Sequence, residues 1–205
     1  MARRKKKISK PRRPSFAIVV DGETEVWYFQ MLKRNEPSLQ VNIEPKIPQK
    51  KKLSEQYGKV CELAEEYLKV IWVIDLDVVI KESKINELKN YLKKFEKEKL
   101  KNVITILNNP CLEFWFLLHF KETTRYYSKC NATEKELKKH LTDYKKTQSY
   151  FTKQNNDIYL KLKSNLPIAI KNSQRTNRDN LDEIERGICE MNLFFEIEQI
   201  KKLID

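Results

Sequence analysis

Asp21, Glu23 and Glu25 fall within five residues, as Asp-Gly-Glu-Thr-Glu, directly after an apolar run. Further along, Asp75 and Asp77 flank one leucine at the end of a second apolar run, and Glu113 stands inside CLEFWFLLHF. Four carboxylates brought together without a cation would repel one another and raise their own pKa values. A hard divalent ion removes that conflict, and an oxygen-only ligand set favours Mg²⁺ or Mn²⁺ over zinc. Asp21, Glu25, Asp75 and Asp77 are therefore the candidate metal ligands. Glu113 joins them as a candidate catalytic residue, because a carboxylate in so apolar a segment must have a partner or face a site. Any one of these acids alone reads as an ordinary turn or cap residue. Their recurrence at successive strand ends sets them apart.

The elements that would position them follow from hydrophobic patterning. Residues 16–20 (FAIVV), 70–74 (VIWVI) and 103–107 (VITIL) have the continuous, β-branched character of buried strands. Residues 41–47 (VNIEPKI) alternate, and Pro45 restricts them to an edge or bulged strand. Between the runs lie segments of helical period: 24–35, with Thr24 as its expected cap, then 54–68 and 82–100. Residues 111–120 are apolar almost all round, as in a deeply buried helix. The alternation predicts an α/β fold with a mainly parallel sheet flanked by helices, whose sites form at the carboxyl ends of the strands. Residues 133–141, 147–162 and 180–203 look helical and predict a helical C-terminal extension. The division expected is a disordered basic arm (1–14), an α/β domain (15–125) and the extension packed on it (126–205).

The first fourteen residues hold eight of the 41 lysines and arginines and no acid. Without them 33 cations face 29 acids, so most of the +12 net charge sits in the arm. Such an arm suits a nucleic-acid backbone through counterion release; a solubilising leader is the alternative. No secretory signal or membrane-spanning run is evident, which predicts a cytoplasmic protein. Cys61, Cys111, Cys130 and Cys189 form no CxxC pair and read as reduced thiols, with a disulfide framework as the alternative. His119 reads as a satisfied core histidine.

Taken together, VVDGETEVWYF, VIWVIDLD and NNPCLEFWFLLHF resemble the RloB-like family of Toprim-related proteins. That family shows a strand ending in EGxxTE before an aromatic pair, a DxD after a later strand, and a segment like SNPxFExWxLLHF. The resemblance covers roughly residues 15–121. It implies a Toprim-like Rossmannoid fold in which such acids bind Mg²⁺ and cut nucleic-acid phosphodiesters. By position, Asp21 and Glu25 look like the EGxxE pair, Asp75 and Asp77 like the DxD pair, and Glu113 like the acid of the last segment. It further implies a place in restriction-linked, anti-phage or abortive-infection loci, with an ATPase partner. Two positions depart from the pattern. Asp21 stands where the family has Glu, one methylene shorter, and Asn108 stands where Ser is typical.

The expectation is a Mg²⁺- or Mn²⁺-dependent nuclease acting on RNA, tRNA or DNA. A cation from the tail would stabilise the transition state, Lys171 and Arg175 being candidates. The alternative is a non-catalytic nucleic-acid-binding or regulatory subunit with a decayed Toprim site, motivated by Asp21.

Overall fold

The three continuous apolar runs become the middle of one sheet because both of its faces are covered. The computed structural model describes residues 13–45, 51–98, 100–178, 180–182 and 184–204. Strands β1 (Arg13–Val19), β3 (Tyr67–Asp75) and β4 (Val103–Asn109) are parallel neighbours. β2 (Val41–Glu44) is a parallel edge beside β1, and β5 (Ile188–Cys189) closes the far edge antiparallel, giving the order β2-β1-β3-β4-β5. Phe16, Ile18, Val20, Ile71, Val73 and Ile106 enter one hydrophobic layer; Ala17, Val19, Val70, Trp72, Ile74 and Leu107 enter the other. This two-sided burial is why the runs are unbroken in sequence.

From β1 the chain passes through α1 (Glu23–Asn35) to β2, then returns through α2 (Leu53–Glu66) to β3 on the other side of β1. The strand order thus reverses at β1, and open α/β sheets form their crevice at such a reversal, beyond the carboxyl ends of the strands. After β3 come α3 (Leu76–Lys81) and α4 (Ile85–Lys97), which lead to β4. α5 (Leu112–Leu118) follows β4, and all seven of its side chains are buried. α1 and α5 pack in the first layer, α2 and α4 in the second.

The second half contains α6 (Cys130–Leu137), α7 (Gln148–Phe151), α8 (Ile158–Lys163), α9 (Leu166–Gln174), α10 (Asn192–Phe195) and α11 (Glu198–Ile204). Tyr144, Phe151, Tyr159, Phe194 and Phe195 share the first layer with Phe29, Trp115 and Phe116, so the extension belongs to the same core. Among the described residues no helix is long and apolar enough to cross a membrane.

Several expected elements differ. Residues 147–162 are two helices, because Asp157 caps α8 by accepting the Leu160 amide and Asn155 turns the chain at φ 57°. Residues 180–203 are not one helix. Asn109 donates its side-chain amide to the Ile184 and Arg186 carbonyls, and the Glu190 carboxylate takes the Leu107 amide at 3.0 Å. These bonds to the open edge of β4 win over helix formation and create β5. α9 was not expected. Residues 82–100 yield α4 only from Ile85, after the separate α3, and α6 starts three residues before Thr133. Thr24 does not cap α1; Gly22 holds the N-cap position. The expected arm lies outside the described residues up to position 12, while Arg13 and Pro14 belong to β1. Ile47 also lies outside them, and β2 ends at Glu44.

Asp157 also ties the extension to α1. Its carboxylate accepts from Arg34 at 2.7 Å and Asn35 at 2.9 Å while its side chain is fully buried. Asp157→Ala removes a cap and the charge-assisted bonds to Arg34 and Asn35, so urea unfolding should show a loss of about 2 kcal/mol. An unchanged midpoint would mean that this tie contributes nothing to the fold.

Candidate metal centre

β1 delivers its acids through a turn at Gly22 over which the Glu25 side chain folds. Gly22 has φ −115°, a value any residue adopts. The restriction is space: a Cβ at Gly22 would overlap Oε2 of Glu25, whose carboxylate folds back over the turn. Glu25 lies in the first turn of α1, where its own backbone amide and the helix dipole favour the anion. β3 ends at Asp75, which is also the N-cap position of α3, and Asp77 is the second residue of that helix. The Asp77 amide donates to the Pro110 carbonyl at 3.1 Å, fixing α3 against the end of β4. Asp21, Glu25, Asp75 and Asp77 line one cleft of about 400 Å³ with Lys146.

Burial is the main cause of the electrostatics here. It raises the Glu25 pKa from 4.5 to about 7; Glu113 adds repulsion, while the backbone amide, Lys146 and Asp75 oppose the rise. Burial, then Glu25, Glu113 and Asp77, push Asp75 well above the usual carboxylate range. The contact between the two carboxyl groups works in opposite directions, raising Asp75 and lowering Glu25. Asp77 is raised less severely, by burial first, with the Val78 amide, Lys146 and the Cys130 amide opposing.

Glu113 is fully buried behind the cleft. Its Oε1 accepts from Tyr144 at 2.9 Å and pairs with Lys146 at 2.8 Å, while Oε2 lies 3.0 Å from Cys130 Sγ. Burial works against the Lys146 ammonium, but Glu113, Glu25 and Asp75 outweigh it and raise its pKa.

The sequence-predicted acids therefore divide. Glu25, Asp75 and Asp77 converge, and Glu113 acts on them from one layer deeper. Asp21 sits in the wall of the cleft, where Gln56 donates to it at 2.9 Å; the buried Trp72 indole in turn donates to Gln56 at 2.9 Å. Glu23 is exposed at the rim. Lys146 was missed, because no pattern distinguishes it within Asp143-Tyr144-Lys145-Lys146. The two tail cations that were candidates do not reach the cluster: Lys171 is exposed, and Arg175 pairs with Glu122. His119 is the core histidine expected. It donates from Nδ1 to the Trp115 carbonyl, and burial lowers its pKa to about 4.

The reading of four reduced thiols needs correction. α5 and α6 begin side by side, bringing Cys111 and Cys130 to a Cα separation of 5.7 Å, and the two form a disulfide. Cys61 and Cys189 are free. Among the described residues, Cys111, Glu113 and Cys130 are the one set whose three ligand atoms lie mutually within 4.8 Å, but their sulfurs are bonded to each other. The oxygens of Glu25, Asp75 and Asp77 do not all lie within that distance of one another. An all-carboxylate set lining an open cleft fits a hard ion that keeps several of its waters, as Mg²⁺ does.

A mostly parallel sheet flanked by helices, with an acidic cleft where its strand order reverses, defines a Rossmann-like α/β protein. The family model described as RloB-like protein matches residues 16–199, and the chain belongs to the RloB-like protein family. Comparison with curated proteins and with solved structures gives no match.

Two outcomes follow from the geometry. Glu25 has a folded pKa of about 7 against 4.5 unfolded, so its contribution to stability is full below about pH 4.5 and lost as pH rises through about 7, and Asp75, also raised, acts in the same direction. Metal-free protein should lose stability across that window. Mg²⁺ at 100 times its Kd at pH 8 should stabilise the protein by about 2.7 kcal/mol at that pH, and by less at pH 5. Equal thermal shifts at both pH values would count against carboxylate ligation. Gly22→Ala should weaken Mg²⁺ binding about 10-fold in calorimetry, by displacing Glu25, with the circular dichroism spectrum unchanged.

Proposed function

We propose that the chain is a metal-dependent nuclease of the Toprim type, acting on RNA, tRNA or DNA phosphodiesters in anti-phage defence. The carrying observation is the meeting of Glu25, Asp75 and Asp77 in one open cleft with Lys146 as its cation. The residues that would hold Mg²⁺ or Mn²⁺ are Glu25, Asp75 and Asp77, with Asp21 completing the set directly or through water. Bound there, the ion supplies Lewis acidity towards a phosphate and a water.

The remaining roles belong to the chain. Asp21, to which Gln56 donates at the cleft wall, would accept a proton. Glu113 and Tyr144 hold Lys146, whose ammonium would meet the negative charge that develops on the phosphate. The charge excess of the first fourteen residues suits the nucleic-acid backbone. A cytoplasmic location and an ATPase partner belong to the same reading.

A second reading, a non-catalytic nucleic-acid-binding or regulatory subunit, draws on Asp21, which is a shorter acid than the family's Glu and is engaged by Gln56. Cleavage of tRNA, other RNA and DNA with Mg²⁺ or Mn²⁺, wild type beside Asp75→Ala and Lys146→Ala, separates the two. The nuclease reading expects Asp75→Ala to fall to background and Lys146→Ala to lose about 100-fold in rate. Equal cleavage by wild type and Asp75→Ala sinks it, as does no cleavage of any substrate. Calorimetric Mg²⁺ binding without cleavage would favour the second reading.

A further inference from the structure

The Cys111–Cys130 disulfide lines the same cleft as the carboxylates, and both of its ends touch the setting of one of them. Cys111 follows Pro110, whose carbonyl accepts the Asp77 amide at 3.1 Å. Cys130 lines the cleft with Asp77, its backbone amide on the side of that carboxylate, and its Sγ lies 3.0 Å from Glu113 Oε2 and 3.8 Å from Lys146 Nζ. Asp77 is thus held through one strand end and one helix start, and the disulfide is the covalent link between the two. From the segment that Cys130 begins, Tyr144 and Lys146 reach Glu113 by non-covalent bonds alone. We infer that the Cys111–Cys130 bond is a reversible redox site that positions Asp77 and so sets how firmly the cleft holds its divalent ion.

The inference rests on the reading of Asp77 as a metal ligand. Cys111 is 2% exposed, whereas Cys130 is partly open to the cleft. A dithiol reductant can therefore enter at Cys130. Its thiolate attacks that sulfur, forms a mixed disulfide and expels the Cys111 thiolate, which takes up a proton. The second reductant thiol then displaces Cys130 and closes the reductant's own disulfide. Two electrons and two protons pass to the protein, leaving two thiols. In a reducing compartment a disulfide of this kind acts as a sensor rather than a permanent staple. With the link open, the Cys130 amide and the Pro110 carbonyl no longer move as one, and Asp77 loses its fixed aim. Changes to groups that orient metal ligands commonly cost about 10- to 100-fold in affinity.

The test uses the full chain, first treated with a mild oxidant. Thiols counted under denaturing conditions should number two, from Cys61 and Cys189. Metal-free oxidised protein is titrated with Mn²⁺ by calorimetry, and the titration is repeated after dithiol reduction and anaerobic removal of the reductant. Reduction should weaken binding about 10-fold, and reoxidation should restore it. The double variant Cys111→Ser/Cys130→Ser should bind as the reduced protein does under either condition, which also excludes Cys61 and Cys189 as the source. A merely structural staple would lower the melting temperature and leave the isotherm unchanged; equal isotherms overturn the inference, and so do four thiols in the oxidised protein. Absence of Mn²⁺ binding in both states would instead overturn the metal reading, and this inference with it.

Discussion

Glu25 and Glu113 are buried beside Asp75, and among the described residues the Lys146 ammonium reaches in from the exposed side to pair with Glu113; the fold is arranged around that imbalance. Desolvation and mutual repulsion act together, pushing Asp75 well above the usual carboxylate range and Glu25 up to about 7. Such crowding costs stability in the metal-free chain. It persists because packing on both sides of the sheet fixes the backbone positions from which these side chains project.

That packing is aromatic and specific. α1 carries Glu25 and α5 carries Glu113, and the two helices are joined by the buried bond from the Trp115 indole to the Tyr28 hydroxyl at 3.0 Å. Tyr28 also meets the Phe116 ring at 5.4 Å, and Phe29 meets Phe194 edge-on. Rings that interdigitate in this way resist sliding, because a shift of one helix would open voids along both. The distance between two repelling carboxylates is therefore set by a hydrophobic layer that neither of them belongs to.

The second half of the chain completes this arrangement. It supplies Lys146 as counter-charge, Tyr144 as a donor to Glu113, and Cys130 as an amide beside Asp77. It also covers the β4 edge through β5 and Glu190, which would otherwise leave unpaired backbone groups beside the cleft. Without these contacts the first half would present a cluster of buried acids without its cation.

Local pattern determined a good deal. Continuous apolar runs at 16–20, 70–74 and 103–107 meant strands buried on both faces, and the acids at their ends marked the crevice, because a parallel sheet places its strand ends side by side. The segment CLEFWFLLHF announced a buried helix and a partnered Glu113, since an unpaired carboxylate there would be too costly. What only the tertiary structure decided depends on contacts between residues distant in sequence. No periodicity distinguishes Lys146 from the other lysines, or predicts that Cys111 and Cys130 meet across the starts of two helices. Nor does local pattern show that residues 180–203 leave helical geometry to satisfy the edge of β4. Local sequence chose the elements and their buried faces; which charges would face each other was decided only when the sheet order brought them together.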